Sequence, residues 1–324
     1  MKQRTISTCY GDLNISSIVM GSAMSMSHLP KDIYYAIYDT YFEAGGNIVD
    51  TARSYGTGGR LEKQVGDYLK ETGRTDSVII STKGCAPSPD GTPRLSYADM
   101  ENDVNESLDA LHRDHIDIWW IHKDDESVPV EGIVDGFNRL IKEGKVFAVG
   151  CSNWTIDRIK AAQDYASATG QQGFSASQIQ WSLAYTLPCF FRDPTNKTMD
   201  DRSYDWYYSQ KMPIFSFSSQ AQGFFPRVDA GGVQSLPEEL QLCYASPENM
   251  RRLRFAKQFA KEHDCSLSAV ALAYLINNKL TCFPIIGAET VDMLKLSLEA
   301  ADVQMSEEES DFLYHAPFKR QETF

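Results

Sequence analysis

The chain has 324 residues, 42% of them hydrophobic, and a formal net charge of −13. That length can bury a large core without a disulfide or structural metal. The acidic excess argues against nucleic acid, because a polyanion needs a concentrated basic face. No apolar run approaches the length of a membrane span, and the opening MKQRTISTCYGDL has no apolar signal region. Seven scattered cysteines (Cys9, Cys85, Cys151, Cys189, Cys243, Cys265, Cys282) include no C-x-x-C pair. Reduced thiols in a cytoplasmic protein are therefore expected, and the N-x-S/T matches at Asn14, Asn105, Asn153 and Asn196 read as chance.

In chain order, two short alternating runs within residues 4–20 flank Gly11-Asp12 and predict an N-terminal hairpin. A strict alternation then begins. SIVMG reads as a strand, followed by a helix over residues 32–44 that ends at Gly45-Gly46. NIVDT and a helix over 59–72 form the second pair. VIISTKG leads through a Pro- and Gly-rich loop to a helix over 96–111, with Ser96 and Asp99 placed as a capping box. IDIWWIH precedes a helix over 130–143, and VFAVGCSN one over 155–169. ASQIQ runs into a long loop, 181–202, with a short helix at 204–209. PIFSFSS is followed by a second long, glycine-bearing loop, 220–247. Helices at 248–263 and 268–278, the strand TCFPIIG, a helix at 290–300 and a last one starting at Ser306 with Glu309 complete the chain. Eight apolar strands alternating with helices, joined by short crossovers, predict an α/β fold of the (β/α)8 TIM-barrel type, one domain over 1–324 with extra C-terminal helices. An open doubly wound sheet would place G-x-G-x-x-G after its first strand, where this chain has MGSAMSMS.

The chemistry concentrates at three strand ends. Asp50 closes NIVD, with Tyr55 just beyond it. Lys83 ends VIISTKG, and His122 ends IDIWWIH. Singly, each has a bland reading: a capping aspartate, a packed tyrosine, a satisfied core histidine. A lysine closing an apolar strand is harder to dismiss, since it directs a charge into the barrel mouth. Jointly they compose a proton-transfer site. Asp50 paired to Lys83, with Lys83 against the Tyr55 hydroxyl, is expected to lower the phenol pKa and make tyrosine a usable acid–base. A neutral His122 can hydrogen-bond a substrate oxygen. The set suits protonation of a carbonyl oxygen while hydride arrives at its carbon. GTGGR lacks the G-K-[ST] of a phosphate loop. His112 and His115 have no cysteine partner and read as a solvated helix end, so no metal is expected.

The motifs VDTARSYGTGGRLEKQVG, ISTKG, DIWWIHKDD, GKVFAVGCSNW, SQIQWSL, PIFSFSSQAQG and PIIGAETVDMLKLSLEAAD span nearly the whole chain. In this order they resemble the aldo-keto reductase family. The resemblance implies a barrel closed below by a hairpin, a nicotinamide cofactor (NADP(H) or NAD(H)) held without a Rossmann fold, and Asp50, Tyr55, Lys83 and His122 as a catalytic tetrad with Tyr55 as proton donor. It further implies Ser152, Asn153 and Gln178 as partners of the nicotinamide carboxamide. By the same resemblance Phe217 would stack on the ring in place of the family's more common tyrosine. It implies Ser218, Gln220 and Gln222 at the pyrophosphate, and Gly21 and Ser22 under the cofactor. After the last strand, in GAETVDMLKLS from Gly287, Met293 occupies the family's usual basic position and Ser297 its Asn position. Glu289 and Asp292 add negative charge there, opposed by Lys295. An acidic residue near the adenosine ribose favours a free 2′-hydroxyl, so NAD(H) is expected to be accepted at least as well as NADP(H). The alternative is that Glu289 points to solvent.

For substrate, a small carbonyl or alcohol is implied. The loops over 24–30, 85–94 and 183–208, with the C-terminal tail, carry Trp206, Tyr207, Tyr208 and Phe318, with Trp120 on the His122 face of its strand. Asp193, Asn196, Asp200, Asp201 and Arg202 lie among them. That mixture suits a sugar or polyol, and equally ordinary loop packing. Two other functions compete. One is a redox-sensing regulatory subunit on the same fold, for which no N-terminal extension is seen. The other is a lyase using Lys83 as a Schiff base, which would need a lowered lysine pKa where Asp50 raises it. A monomer or small homo-oligomer, with no nucleic-acid or membrane partner, is expected.

Overall fold

The computed structural model describes residues 1–23, 26–187 and 193–315, with His315 in backbone only. Two strands, β1 (Gln3–Thr8) and β2 (Gly11–Ser16), pair as an antiparallel hairpin. Its turn falls at Cys9-Tyr10 rather than at Gly11-Asp12, because Thr8 pairs directly with Gly11 and the Thr8 hydroxyl donates to the Gly11 carbonyl. Eight parallel strands then close into a barrel: β3 (Val19–Gly21), β4 (Ile48–Asp50), β5 (Ile79–Gly84), β6 (Ile116–Ile121), β7 (Val146–Ser152), β8 (Ser177–Gln180), β9 (Ile214–Phe217) and β10 (Cys282–Ile286), with β10 pairing back onto β3. This is the expected (β/α)8 TIM barrel with its N-terminal hairpin.

Helices α1 (Lys31–Glu43), α2 (Arg60–Glu71), α3 (Tyr97–Leu111), α4 (Val130–Lys142), α5 (Ile156–Thr169) and α6 (Asp201–Gln210) separate the strands in turn. The Ser96–Asp99 capping box of α3 is present with both reciprocal bonds. Between β9 and β10 the chain forms four helices, α7 (Phe224–Gly231), α8 (Glu238–Tyr244), α9 (Pro247–Glu262) and α10 (Leu267–Ile276), and α11 (Val291–Leu298) and α12 (Glu307–His315) follow. The expected loop over 220–247 is thus corrected, since it contains α7 and α8. Its prolines sit at helix starts, Pro226 in the first turn of α7 and Pro237 at the N-cap of α8. There a missing N–H forfeits no intrahelical bond.

Strand alternation divides the apolar residues between two cores. In β6 all six residues are buried, but Ile118 and Trp120 point into the barrel while Trp119 and Ile121 face the helices. The inner cluster joins Val19, Ile48, Ile118, Trp120, Ala148, Ala176, Phe215 and Phe283 to Ile6 and Ile15 of the hairpin. The hairpin therefore plugs the end of the barrel where the strands begin. The other end is left to polar residues. Trp120 is thus corrected from a pocket aromatic to a packed interior one, fully buried with its ring edge-on to Phe215 at 4.9 Å. No helix among the described residues is long and apolar enough to cross a membrane.

Candidate active site

Asp50 is the last residue of β4, and Lys83 stands one from the end of the neighbouring β5. Both side chains are buried, and the Lys83 ammonium donates to Asp50 Oδ2 at 2.5 Å and to the Thr51 carbonyl at 2.7 Å. The other carboxylate oxygen accepts from Ser81 Oγ at 2.7 Å and from Gln178 Nε2 at 3.2 Å. Ser81 in turn accepts from the Trp120 indole at 2.7 Å. A buried charge pair is tolerable only when its remaining lone pairs are satisfied in this way. Burial would push the lysine down, but the Asp50 carboxylate and the Tyr55 hydroxyl outweigh it and hold the ammonium above its usual value. A raised lysine pKa is the opposite of what a Schiff-base nucleophile needs.

Tyr55 sits in a loop fixed by backbone bonds, Arg53 N to the Lys83 carbonyl at 2.9 Å and Tyr55 N to the Ala52 carbonyl at 3.0 Å. Arg53 clamps the loop from outside, with Nε 2.6 Å from Glu106 and Nη1 3.4 Å from Glu62. Glu62 is fully buried and accepts from Thr82 and Ser107, each at 2.6 Å. Gly59 is required here. It adopts a positive φ of 70°, and a Cβ on it would collide with the Arg53 guanidinium. The Lys83 ammonium lies 5.0 Å from the centre of the Tyr55 ring. Burial nevertheless dominates, so the Tyr55 phenol stands above its ordinary value, with Lys83 opposing. The expected lowering is corrected: in the protein alone, desolvation outweighs the cation, and the phenol keeps its proton at neutral pH.

His122 follows β6, its N–H bonded to the Gly84 carbonyl at 2.9 Å, and its ring meets the Tyr55 ring edge-on at 5.9 Å. Burial, with Lys83 and Lys123 beside it, pulls its pKa to about 3, leaving the imidazole neutral as expected. Its Nδ1 is 3.3 Å from Ser54 Oγ. The neighbouring Lys123 reaches across the mouth to Asp193 and Thr195, both at 2.7 Å, and to Asn196 at 2.8 Å. That ammonium ties the loop after β8 to the strand carrying His122.

The expected carboxamide partners are also assembled. Ser152 and Gln178 are register partners of β7 and β8, and Asn153 adopts a left-handed φ of 62°. Asn153 Nδ2 donates to Ser152 Oγ at 3.0 Å, and its Oδ1 accepts from Lys197 N at 3.1 Å. Gln178 joins this trio to the Asp50 carboxylate. Ser22 donates to Thr51 Oγ1 at 2.8 Å at the end of β3. Gly21 answers a packing need, because a Cβ there would press on the Ile286 carbonyl at 3.1 Å. Phe217 ends β9 half-buried. Beyond it Ser218, Ala221, Gln222 and Gly223 all take positive φ, and α7 starts at once. Such runs turn backbone N–H groups toward a concavity that suits an anion. Gln220 Nε2 donates to the buried Ser297 Oγ at 3.1 Å, linking this turn to α11. Gly287, Glu289 and Met293 lie exposed at the start of that helix. Amide and hydroxyl groups beside an aromatic face, followed by a left-handed turn into a helix, fit the polar and stacked parts of a nicotinamide dinucleotide.

Other candidates are placed elsewhere. Tyr207 is buried, its hydroxyl 2.8 Å from Ser177 Oγ, and Tyr208 is exposed on the outer helix α6. Asp200 caps α6, Arg202 pairs with Asp157 on the surface, and Asp193 and Asn196 are spent on Lys123. Tyr207, Tyr208, Asp200 and Arg202 therefore lie on or behind the outer helix α6 rather than in a shared platform for a sugar. Phe318, Met24 and Cys189 lie outside the described residues. Thr51, Ser54, Ser81 and Lys123 were missed. Ser81 had a visible signal, a polar side chain two residues before Lys83 on the same face of a buried strand.

A closed barrel with this constellation at the strand ends defines a class of oxidoreductase, and comparison with known proteins agrees. The profile of the Aldo/keto reductase family matches residues 17–313. The chain belongs to that family, whose members use nicotinamide cofactors, and it is an oxidoreductase. It is 24% identical over 310 residues to an aryl-alcohol dehydrogenase of Pestalotiopsis microspora, covering 93% of this chain and 76% of that protein. A norsolorinic acid reductase of Emericella nidulans is 25% identical over 295 residues, 88% and 72% of the two chains. An NADP(+) aryl-alcohol dehydrogenase of Phanerodontia chrysosporium is 25% identical over 337 residues, 93% and 82%.

Proposed function

We propose that this protein reversibly reduces an aromatic aldehyde or ketone to the alcohol, with Tyr55 as the proton donor. The observation that carries the reading is the interlocked set at the ends of β4, β5 and β6: buried Asp50 and Lys83, Tyr55 above them, neutral His122 beside Tyr55. His122 hydrogen-bonds the carbonyl oxygen and sets its approach. Tyr55 delivers its proton to that oxygen, and the buried Lys83 ammonium stabilises the phenolate as it forms. Asp50 keeps Lys83 charged and in place. When bound, a reduced nicotinamide supplies the hydride to the carbonyl carbon. Ser152, Asn153 and Gln178 hold its carboxamide, Phe217 faces its ring, and the turn at Ser218, Gln220 and Gln222 takes the pyrophosphate.

The aromatic substrate class is supported by the aryl-alcohol dehydrogenases among the relatives and by the dispersal of the residues that favoured a sugar. NAD(H) is accepted at least as well as NADP(H), since Glu289 and Asp292 stand at the start of α11 with Met293 exposed between them and Lys295. The test is Tyr55→Phe, which keeps the ring and removes the proton. Reduction of an aryl aldehyde falls by about 10²–10⁴ in kcat/KM, while the dissociation constant for reduced cofactor, read by tryptophan fluorescence, stays put. Undiminished turnover in that variant refutes the role of Tyr55. Turnover of sugars with none of aryl aldehydes refutes the substrate class.

A further inference from the structure

A neutral imidazole carries one N–H, so His122 can donate to a carbonyl oxygen from Nε2 only if Nδ1 is an acceptor. What faces Nδ1 therefore decides whether the residue works. That group is Ser54, whose Oγ lies 3.3 Å from Nδ1. Among the described residues this is the one hydrogen-bonding contact of the Ser54 hydroxyl, and Nε2 of His122 has no partner. The serine is held there from both sides. Arg53 N and Tyr55 N are bonded to the Lys83 and Ala52 carbonyls, and the Arg53 guanidinium is clamped between Glu62 and Glu106.

We propose that Ser54 is the positioning residue that sets the tautomer of His122: its O–H donates to Nδ1, which places the ring proton on Nε2, toward the substrate oxygen. A serine suits this role better than a carboxylate or a backbone carbonyl. Those groups accept from Nδ1–H and would leave Nε2 bare, lone pair against lone pair with the carbonyl oxygen. The hydroxyl can donate without adding charge beside a ring that burial, with Lys83 and Lys123, already keeps neutral. The inference rests on His122 being the partner of the carbonyl.

The test uses the full chain labelled with ¹⁵N at histidine, as wild type, Ser54→Ala and Ser54→Thr, with His122→Ala to assign the signal. Expected in the wild type is a protonated Nε2 and a bare Nδ1. Ser54→Ala shifts the population toward the Nδ1–H form and lowers kcat/KM for carbonyl reduction by roughly three- to tenfold, the scale of one hydrogen bond. Ser54→Thr restores both, since it keeps the hydroxyl. In the His122→Ala background, removing Ser54 costs nothing more, because the two act as a unit. An unchanged tautomer in Ser54→Ala overturns the proposal, as does an equal loss of activity in Ser54→Thr. The tautomer signal reads Ser54 independently of catalysis. A His122→Ala variant with full activity would instead remove the role of His122 in the reaction.

Discussion

The two sides of the barrel mouth are built to different standards. At the ends of β4, β5 and β6 the charged groups are buried and partnered: Asp50 with Lys83, Ser81 and Gln178, and behind them Glu62 with Thr82, Ser107 and Arg53. Across the mouth, at the start of α11, Glu289, Asp292 and Lys295 are exposed and Met293 is half-exposed at 50%. The physical consequence is a matter of dielectric. A charge pair held away from water interacts several times more strongly than the same pair at the surface. Proton chemistry on a reluctant acid such as tyrosine needs the first setting. Selecting between two forms of a nucleotide can be done in the second.

The largest test of that contrast is Asp50→Asn. It leaves Lys83 a buried cation with a carbonyl and a neutral amide for company, and stability falls by about 3–5 kcal/mol in chemical denaturation. A loss under about 1 kcal/mol would place the pair with surface salt bridges instead. His122 offers a smaller test by pH. Its pKa is about 3 in the fold against 6.5 for a free imidazole. As pH falls through that window the unfolded chain gains a proton here and the fold does not. Stability at this position is therefore intact above about 6.5 and lost progressively toward 3. Thermal melts between about pH 4 and pH 7 should show a shallower acid limb in His122→Gln. An identical limb would mean that the ring protonates as freely as at the surface. Smallest is Glu289→Lys on the exposed rim. It should move the ratio of NADPH to NADH dissociation constants toward NADPH by about two- to fivefold, the scale of one exposed charge pair, with the melting temperature unchanged. No movement in the ratio would mean that Glu289 faces solvent.

Much of the mouth was legible because each strand is short and ends where its polarity changes. Asp50, Lys83 and His122 all stand within a residue of a strand end. What was misread has consistent causes. Trp120 shares a face with His122, but two residues earlier that face is barrel interior, packed on Phe215 rather than open to substrate. Tyr207 and Tyr208 follow a long loop and so read as pocket walls, whereas α6 lies on the outside and buries Tyr207 behind β8. The glycines over residues 220–247 read as loop signals, although Gly223 caps the start of α7 and Gly231 closes it. The Tyr55 shift has the opposite sign to the one its sequence suggests, because a sequence names the lysine neighbour but not the depth of burial that outweighs it.

The amino-acid sequence by itself determined the alternation of strand and helix, where each element starts and stops, and which residues stand at the strand ends. All of these follow from local periodicity and capping, which act over a few residues. Only the tertiary structure decided which polar groups meet. Gln178 reaches the Asp50 carboxylate across 128 residues of chain, Lys123 takes hold of Asn196 across 73, and Ser54 finds His122 across 68. Those meetings depend on barrel closure and strand register, and they set the burial and partners on which every charge in the site depends.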